Sequence, residues 1–198
     1  MLRRLLKKCE DHCRHAETIL QEQDDPSPIA GWAREIIDFG RQLLAEEALD
    51  EQTLADAYVV VYEFADKVYE HPRLLLELRQ LAYDMVLRGE AMTGETYKVK
   101  DEIKKEIDEL KANIQAADEG RFGDIKSGKM LKVDPVEWTA KYEAVIDEAD
   151  REAYKRLKDA HRGMGFCFEY WAEKQAALAK RGIEWRSPSA MNPGVMFD

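Results

Sequence analysis

Proline and glycine are scarce in this chain, at 6 and 11 of 198 residues, which argues against collagen-like and low-complexity classes. Long apolar runs are missing as well, and no window approaches the uninterrupted length that a membrane-crossing helix needs. Cysteine is limited to Cys9, Cys13 and Cys167, an odd number without the spacing of a secreted disulfide framework. A reducing, cytoplasmic setting is therefore expected. The basic start MLRRLLKK runs directly into Cys9, Glu10, Asp11 and His12, so no ordinary signal peptide is expected. Positive charge is in deficit: 30 Lys and Arg face 40 Asp and Glu, a formal charge of −10. That balance argues against general nucleic-acid binding, which works by neutralising phosphates.

What is present favours helix. The composition is 45% hydrophobic and 35% charged, dominated by Ala, Glu, Leu, Lys and Arg. A domain of this length buries roughly 70% of the surface of its unfolded chain and needs no disulfide or metal to fold. One helix is predicted from about Leu2 to Glu22, ended by Asp24-Asp25-Pro26. A second follows, capped by Ser27 with Pro28 at its first position. The second carries Gly40 on its apolar face, a place for another backbone to come close. Thr53 and Asp56 have the spacing of a capping box, and Tyr58-Val59-Val60-Val61-Tyr62 is read as helix because a lone strand has no partner. His71-Pro72 then breaks the chain before a broad apolar face that ends near Gly89.

Val99, Ile103, Ile107, Leu110, Ile114 and Ala117 form a narrow seam, matched by a second stripe of Trp138, Tyr142, Val145 and Ala149 after Asp134-Pro135. Two such helices suggest an antiparallel hairpin over about 96–160, projecting as an arm from a single domain of residues 1–198. At its tip, Ser127-Gly128 suits a small β-hairpin. The stretch 163–185 is the most aromatic of the chain. Met164, Cys167, Phe168, Trp171, Gln175 and Leu178 share one face there and Phe166, Tyr170 and Ala177 another, as expected of a central helix buried on several sides. Residues 186–198 read as an irregular tail, either packed on its own domain or exchanged with a neighbour. The fold class is all-α, a bundle of five to seven helices.

Several constellations bear on chemistry. Cys9, His12 and Cys13 share a helical face and are soft-metal ligands, yet no second ligand pair accompanies them, and they equally continue an apolar stripe. Gly123-Asp-Ile-Lys-Ser-Gly128-Lys129 matches a phosphate-binding loop until Met130 replaces its Ser or Thr, and no strand precedes it. Glu106 with Glu109, and Asp147 with Asp150, have the spacing of a helical metal-dependent phosphohydrolase, although the seam directs them to solvent. No nucleophile motif occurs. No cofactor is expected, and an enzyme is the lesser reading.

Contact features are better placed. Arg121, Lys126, Lys129 and Lys132 make a basic tip in an acidic chain. Met191, Val195, Met196 and Phe197 are apolar near a terminus, where tails are usually polar. These eight are the candidate partner-binding residues of a non-enzymatic interaction, assembly or regulatory protein. Its expected partner is a protein or a second copy, not nucleic acid or a membrane. The alternatives are the phosphohydrolase and an acidic mimic of a polyanion that inhibits a nucleic-acid-binding protein.

Overall fold

The computed structural model describes residues 2–68, 70–126 and 131–197. Among them are nine α-helices, two 3-10 turns and no strand, so the fold is the all-α bundle that composition and periodicity favour. No helix is long and apolar enough to cross a membrane among the described residues. By contacts the chain divides into two compact units, Met1–Thr18 with Ile29–Lys111, and Ile19–Pro28 with Ala112–Asp198.

The first unit is organised around α2 (Ile29–Leu44), α3 (Glu51–Ala65) and α4 (Pro72–Thr93), each packed on the other two. Its α1 (Leu2–Gln21) buries Leu6, Cys9, His12 and Ala16, the stripe visible in the sequence. Gly40 is where α2 meets α4: a Cβ there would lie 2.5 Å from Leu81 Cδ2 and 3.0 Å from Met85 Cε. The valine-rich run is helical, as its flanks imply. Its cap, however, is Asp50, whose carboxylate accepts from the Thr53 amide at 2.9 Å and the Thr53 hydroxyl at 2.7 Å. Thr53 therefore belongs to the first turn instead of capping it. α4 runs past Gly89 to a left-handed stop at Gly94, φ 74°, a conformation glycine adopts without steric cost.

α5 (Val99–Asp118) does carry its seam, with Ile103, Ile107, Leu110 and Ala117 buried. In the first unit Ile103 and Ile107 pack with Val86, flanked by Tyr58, Tyr62 and Tyr83. The long helix expected from Pro135 is broken into a 3-10 turn (Pro135–Trp138), α6 (Ala140–Glu143) and α7 (Ile146–Arg156). Thr139, capping α6 from an extended conformation, and Val145 interrupt it. In the first unit α5 packs with α3 and α4 residues, and in the second α7 packs on α8 (Phe166–Lys180).

The core of the second unit joins Tyr142, Ile146 and Ala149 to Ala177, Leu178, Ile183 and Trp185. Here α8 is buried on fewer sides than expected. Its inward face is Phe166, Lys174, Ala177 and Leu178, whereas Met164 is 94% exposed and Phe168 47%. The reason lies in α7, which brings the carboxylate of Asp150 into the interface. Asp150 is 2% exposed and Lys174 1%, with Lys174 Nζ 3.3 Å from Asp150 Oδ1. Tyr170 OH donates to the same oxygen at 2.7 Å. A buried charge must be matched, so the helix turns its lysine inward and part of its aromatic stripe outward. The expectation that Asp150 points to solvent is thereby corrected.

Candidate interaction surface

The tip and the tail belong to the second unit and are joined by the side chain of one residue. Asn192 Oδ1 accepts from the Lys132 amide at 2.8 Å, and Asn192 Nδ2 donates to the Lys132 carbonyl at 2.8 Å. This two-way clamp spans 60 positions of sequence. Nearer the core, the Asp134 carboxylate is buried and accepts from the Arg186 backbone amide at 2.8 Å and from Arg186 Nε at 3.0 Å. Trp185 Nε1 donates to Glu137 Oε1 at 2.7 Å, and Gln175 Nε2 donates to the Trp185 carbonyl at 2.8 Å. A four-residue helix, α9 (Pro188–Met191), stands where an irregular tail was expected; Ser187 caps it, its hydroxyl accepting from the Ala190 amide at 3.3 Å.

The tail then reaches α8. Phe197 meets Trp171 edge-on with ring centroids 5.2 Å apart, and Trp171 meets Phe168 in the same geometry at 5.4 Å. Trp171 also packs against the core of the unit, so it anchors the row of three rings. Beside the row, Val195 is exposed and Met196 is 95% exposed, while Met191 is half-buried. Edge-to-face pairs of this kind hold rings in fixed orientations and add about 0.5–1.5 kcal/mol each beyond burial. The tail residues thus serve two ends. Phe197 fastens the chain to its own unit, and Val195 and Met196 remain open to solvent.

The basic tip is less uniform than its sequence suggests. Arg121 is engaged by Glu119 at 2.7 Å and by Asp124, which holds its guanidinium proton more firmly than usual. Its turn, Phe122–Asp124, is 3-10 rather than a strand. Lys126 is fixed through its backbone: Asn113 Nδ2 donates to its carbonyl and its amide donates to Asn113 Oδ1, both at 2.9 Å. Its side chain and that of Lys132 are exposed. Lys129, the Ser127-Gly128 turn and the end of the phosphate-loop match lie outside the described residues. Asn113, Asn192 and Asp134 set this surface, and none was a sequence candidate. Asn192 precedes Pro193-Gly194 and reads simply as a turn. Asn113, a polar residue next to a seam position, is the one signal that was legible.

The remaining constellations are occupied by protein partners. Cys9 is buried, and Cys13 Sγ donates to the Val60 carbonyl at 3.7 Å. Burial pushes the Cys9 thiol up to about 12 and the Cys13 thiol to about 11. His12 stacks on Trp32 at 5.2 Å with Nε2 3.0 Å from Glu35 Oε2. No group of three metal-ligating side chains occurs among the described residues. Of the paired carboxylates, Glu106 binds Arg79 at 2.9 Å, Glu109 sits 3.8 Å from Lys105, and Asp150 is matched by Lys174. Glu106 and Asp150 fall in different compact units. Comparison with models of known families, with characterised proteins and with solved structures gives no match in any of the three.

Proposed function

We propose that the chain is a non-enzymatic interaction, assembly or regulatory protein, working in the cytoplasm, that docks a protein partner or a second copy through the α8 and tail surface of its second unit. The observation that carries this reading is the ring row Phe168–Trp171–Phe197, left half-open and flanked by Val195 and the almost fully exposed Met196. Water-facing aromatic and methionine side chains gathered together are the composition of an interface core. Flexible methionines beside rigid rings let such a surface fit its partner. The clamp of Asn192 on Lys132 lends support, because it holds the tail beside an exposed basic residue and so gives the apolar row a polar edge. The hydrolase reading gains nothing comparable, since Glu106 and Asp150 are each neutralised by a cation.

The test replaces Phe168 and Met196 together by Asp. Both are exposed, and an acid at position 168, in the first turn of α8, suits the positive end of that helix. Circular dichroism should stay unchanged and Tm should fall by only a few degrees, from the lost Phe168–Trp171 contact, while the solution mass, or co-purification with a partner from the native cell, falls to that of the free monomer. Unchanged association by the doubly substituted chain would refute the reading.

A further inference from the structure

A groove of about 460 Å³ opens in the first unit between α3, α4 and the turn leading into α5. It lies within the size range of small-molecule sites, roughly 300–1,000 Å³. Its lining is mostly apolar, with Leu54, Met85 and Val86 all buried. The far wall is Tyr97, made possible by Gly89: a Cβ at Gly89 would stand 3.2 Å from Tyr97 Cε2.

That wall is built rather than loose. Tyr97 OH lies 3.1 Å from Thr93 Oγ1, and its amide donates to Glu90 Oε1 at 2.9 Å. Lys100 Nζ donates to both oxygens of Glu90, at 2.8 and 2.7 Å. The turn from α4 to α5 is thus tied at three points, and the groove is formed before any ligand arrives.

Two charges stand at the rim, Glu51 and Lys98. Glu51 occupies the first turn of α3, where the positive end of its own helix compensates it. Lys98 immediately precedes α5 and adds to the positive end of that helix. Asp101 and Glu102 offset that end from the first turn of α5, but neither lines the groove. The groove thus carries one cation at its rim, Lys98, and one carboxylate, Glu51, which the α3 N-terminus partly offsets, above an apolar floor.

We propose that this groove binds an amphipathic carboxylate such as a medium-chain alkanoate, its apolar body against Leu54, Met85 and Val86 and its carboxylate at Lys98. The proposal is independent of the α8 and tail surface.

Titration calorimetry of the full chain with hexanoate, octanoate and decanoate, each below its micellar concentration, tests it. Each buried methylene contributes about 0.8 kcal/mol, so Kd should tighten about tenfold per two carbons until the groove is full. Lys98→Glu should weaken decanoate at least about fivefold and leave decanol unaffected. Ala55→Trp, at the exposed edge of the groove, should abolish decanoate binding with circular dichroism unchanged; should that variant misfold, Lys98→Glu carries the test alone. Absence of binding at millimolar decanoate overturns the proposal. So does affinity that ignores chain length, equal binding of decyltrimethylammonium, or decanoate affinity that survives Lys98→Glu.

Discussion

The residue that most changes the picture of this molecule is Lys174. A lysine at an inward position of a helix is costly unless its charge is matched, and here Asp150 and the Tyr170 hydroxyl match it, at 3.3 and 3.2 Å. Its ammonium also lies 5.3 Å from the Tyr170 ring centroid and 5.4 Å from that of Trp185. Replacing Lys174 by Met preserves the volume and leaves the buried Asp150 carboxylate without this cation. We expect a loss of about 3–5 kcal/mol in urea unfolding, and recovery of most of it when Asp150→Asn is added. A single variant within about 1 kcal/mol of the parent would mean that water reaches the pair. Cys9 and Cys13 make a second prediction at this scale. Their protons are held more tightly in the folded chain than in the unfolded one, because burial disfavours the thiolate. Their contribution is complete below the ordinary value of 9.0 and is lost as pH rises toward about 11 for Cys13 and about 12 for Cys9. The urea midpoint should therefore fall on the alkaline side of pH 9.0, and fall less in a Cys9→Ala, Cys13→Ala chain. An equal decline in both would remove the thiols from the account.

Helices were legible wherever one apolar stripe met one neighbour. α1, α2 and α4 follow their periodicity, and Gly40 marks a close approach, though the atoms that come near belong to the Leu81 and Met85 side chains. α3 was correctly helical despite its valines, because its flanking residues keep the 3.6 period. At α8 the expected burial on several sides held only in part, since a stripe of aromatics predicts burial only when no charged partner competes for the inward face. Asp150 competes from α7, and spacing along either helix alone does not reveal that pairing. A narrow seam, likewise, says how wide a contact is but not which element supplies it, and for α7 that element is α8. Of the candidate surface, the tail and the tip were visible as an apolar terminus and a basic cluster. Their joining was not, since it rests on two backbone hydrogen bonds to Asn192, which carry no hydropathy signal. The attachment itself is testable. Deleting the residues after Pro188 removes the Asn192 clamp and the Phe197–Trp171 contact, worth about 2 kcal/mol together. Tm should drop by roughly 4–8 °C, with the Trp171 environment becoming more polar in fluorescence. An unchanged Tm would show that the tail is not held as described.

On the scale of the whole molecule, a formal charge of −10 is of the kind that favours solubility and prescribes no function. Many carboxylates are spent internally. Glu152 accepts from Lys180 and Arg181, which with the nearby Arg156 hold its carboxyl down to about 2. Among the apolar side chains left exposed, the open side of the ring row and its neighbour Met196 lie together in the second unit, and the central proposal is that another protein binds there. A photo-crosslinking residue placed singly at Met196 and at Phe168, with Glu148 and Asp159 as exposed controls, tests that claim most directly in the native cell. Illumination should give one discrete protein adduct, of a partner or a second copy, from positions 196 and 168 and none from the controls. No adduct from either position, or the same adducts from Glu148 and Asp159, would contradict it.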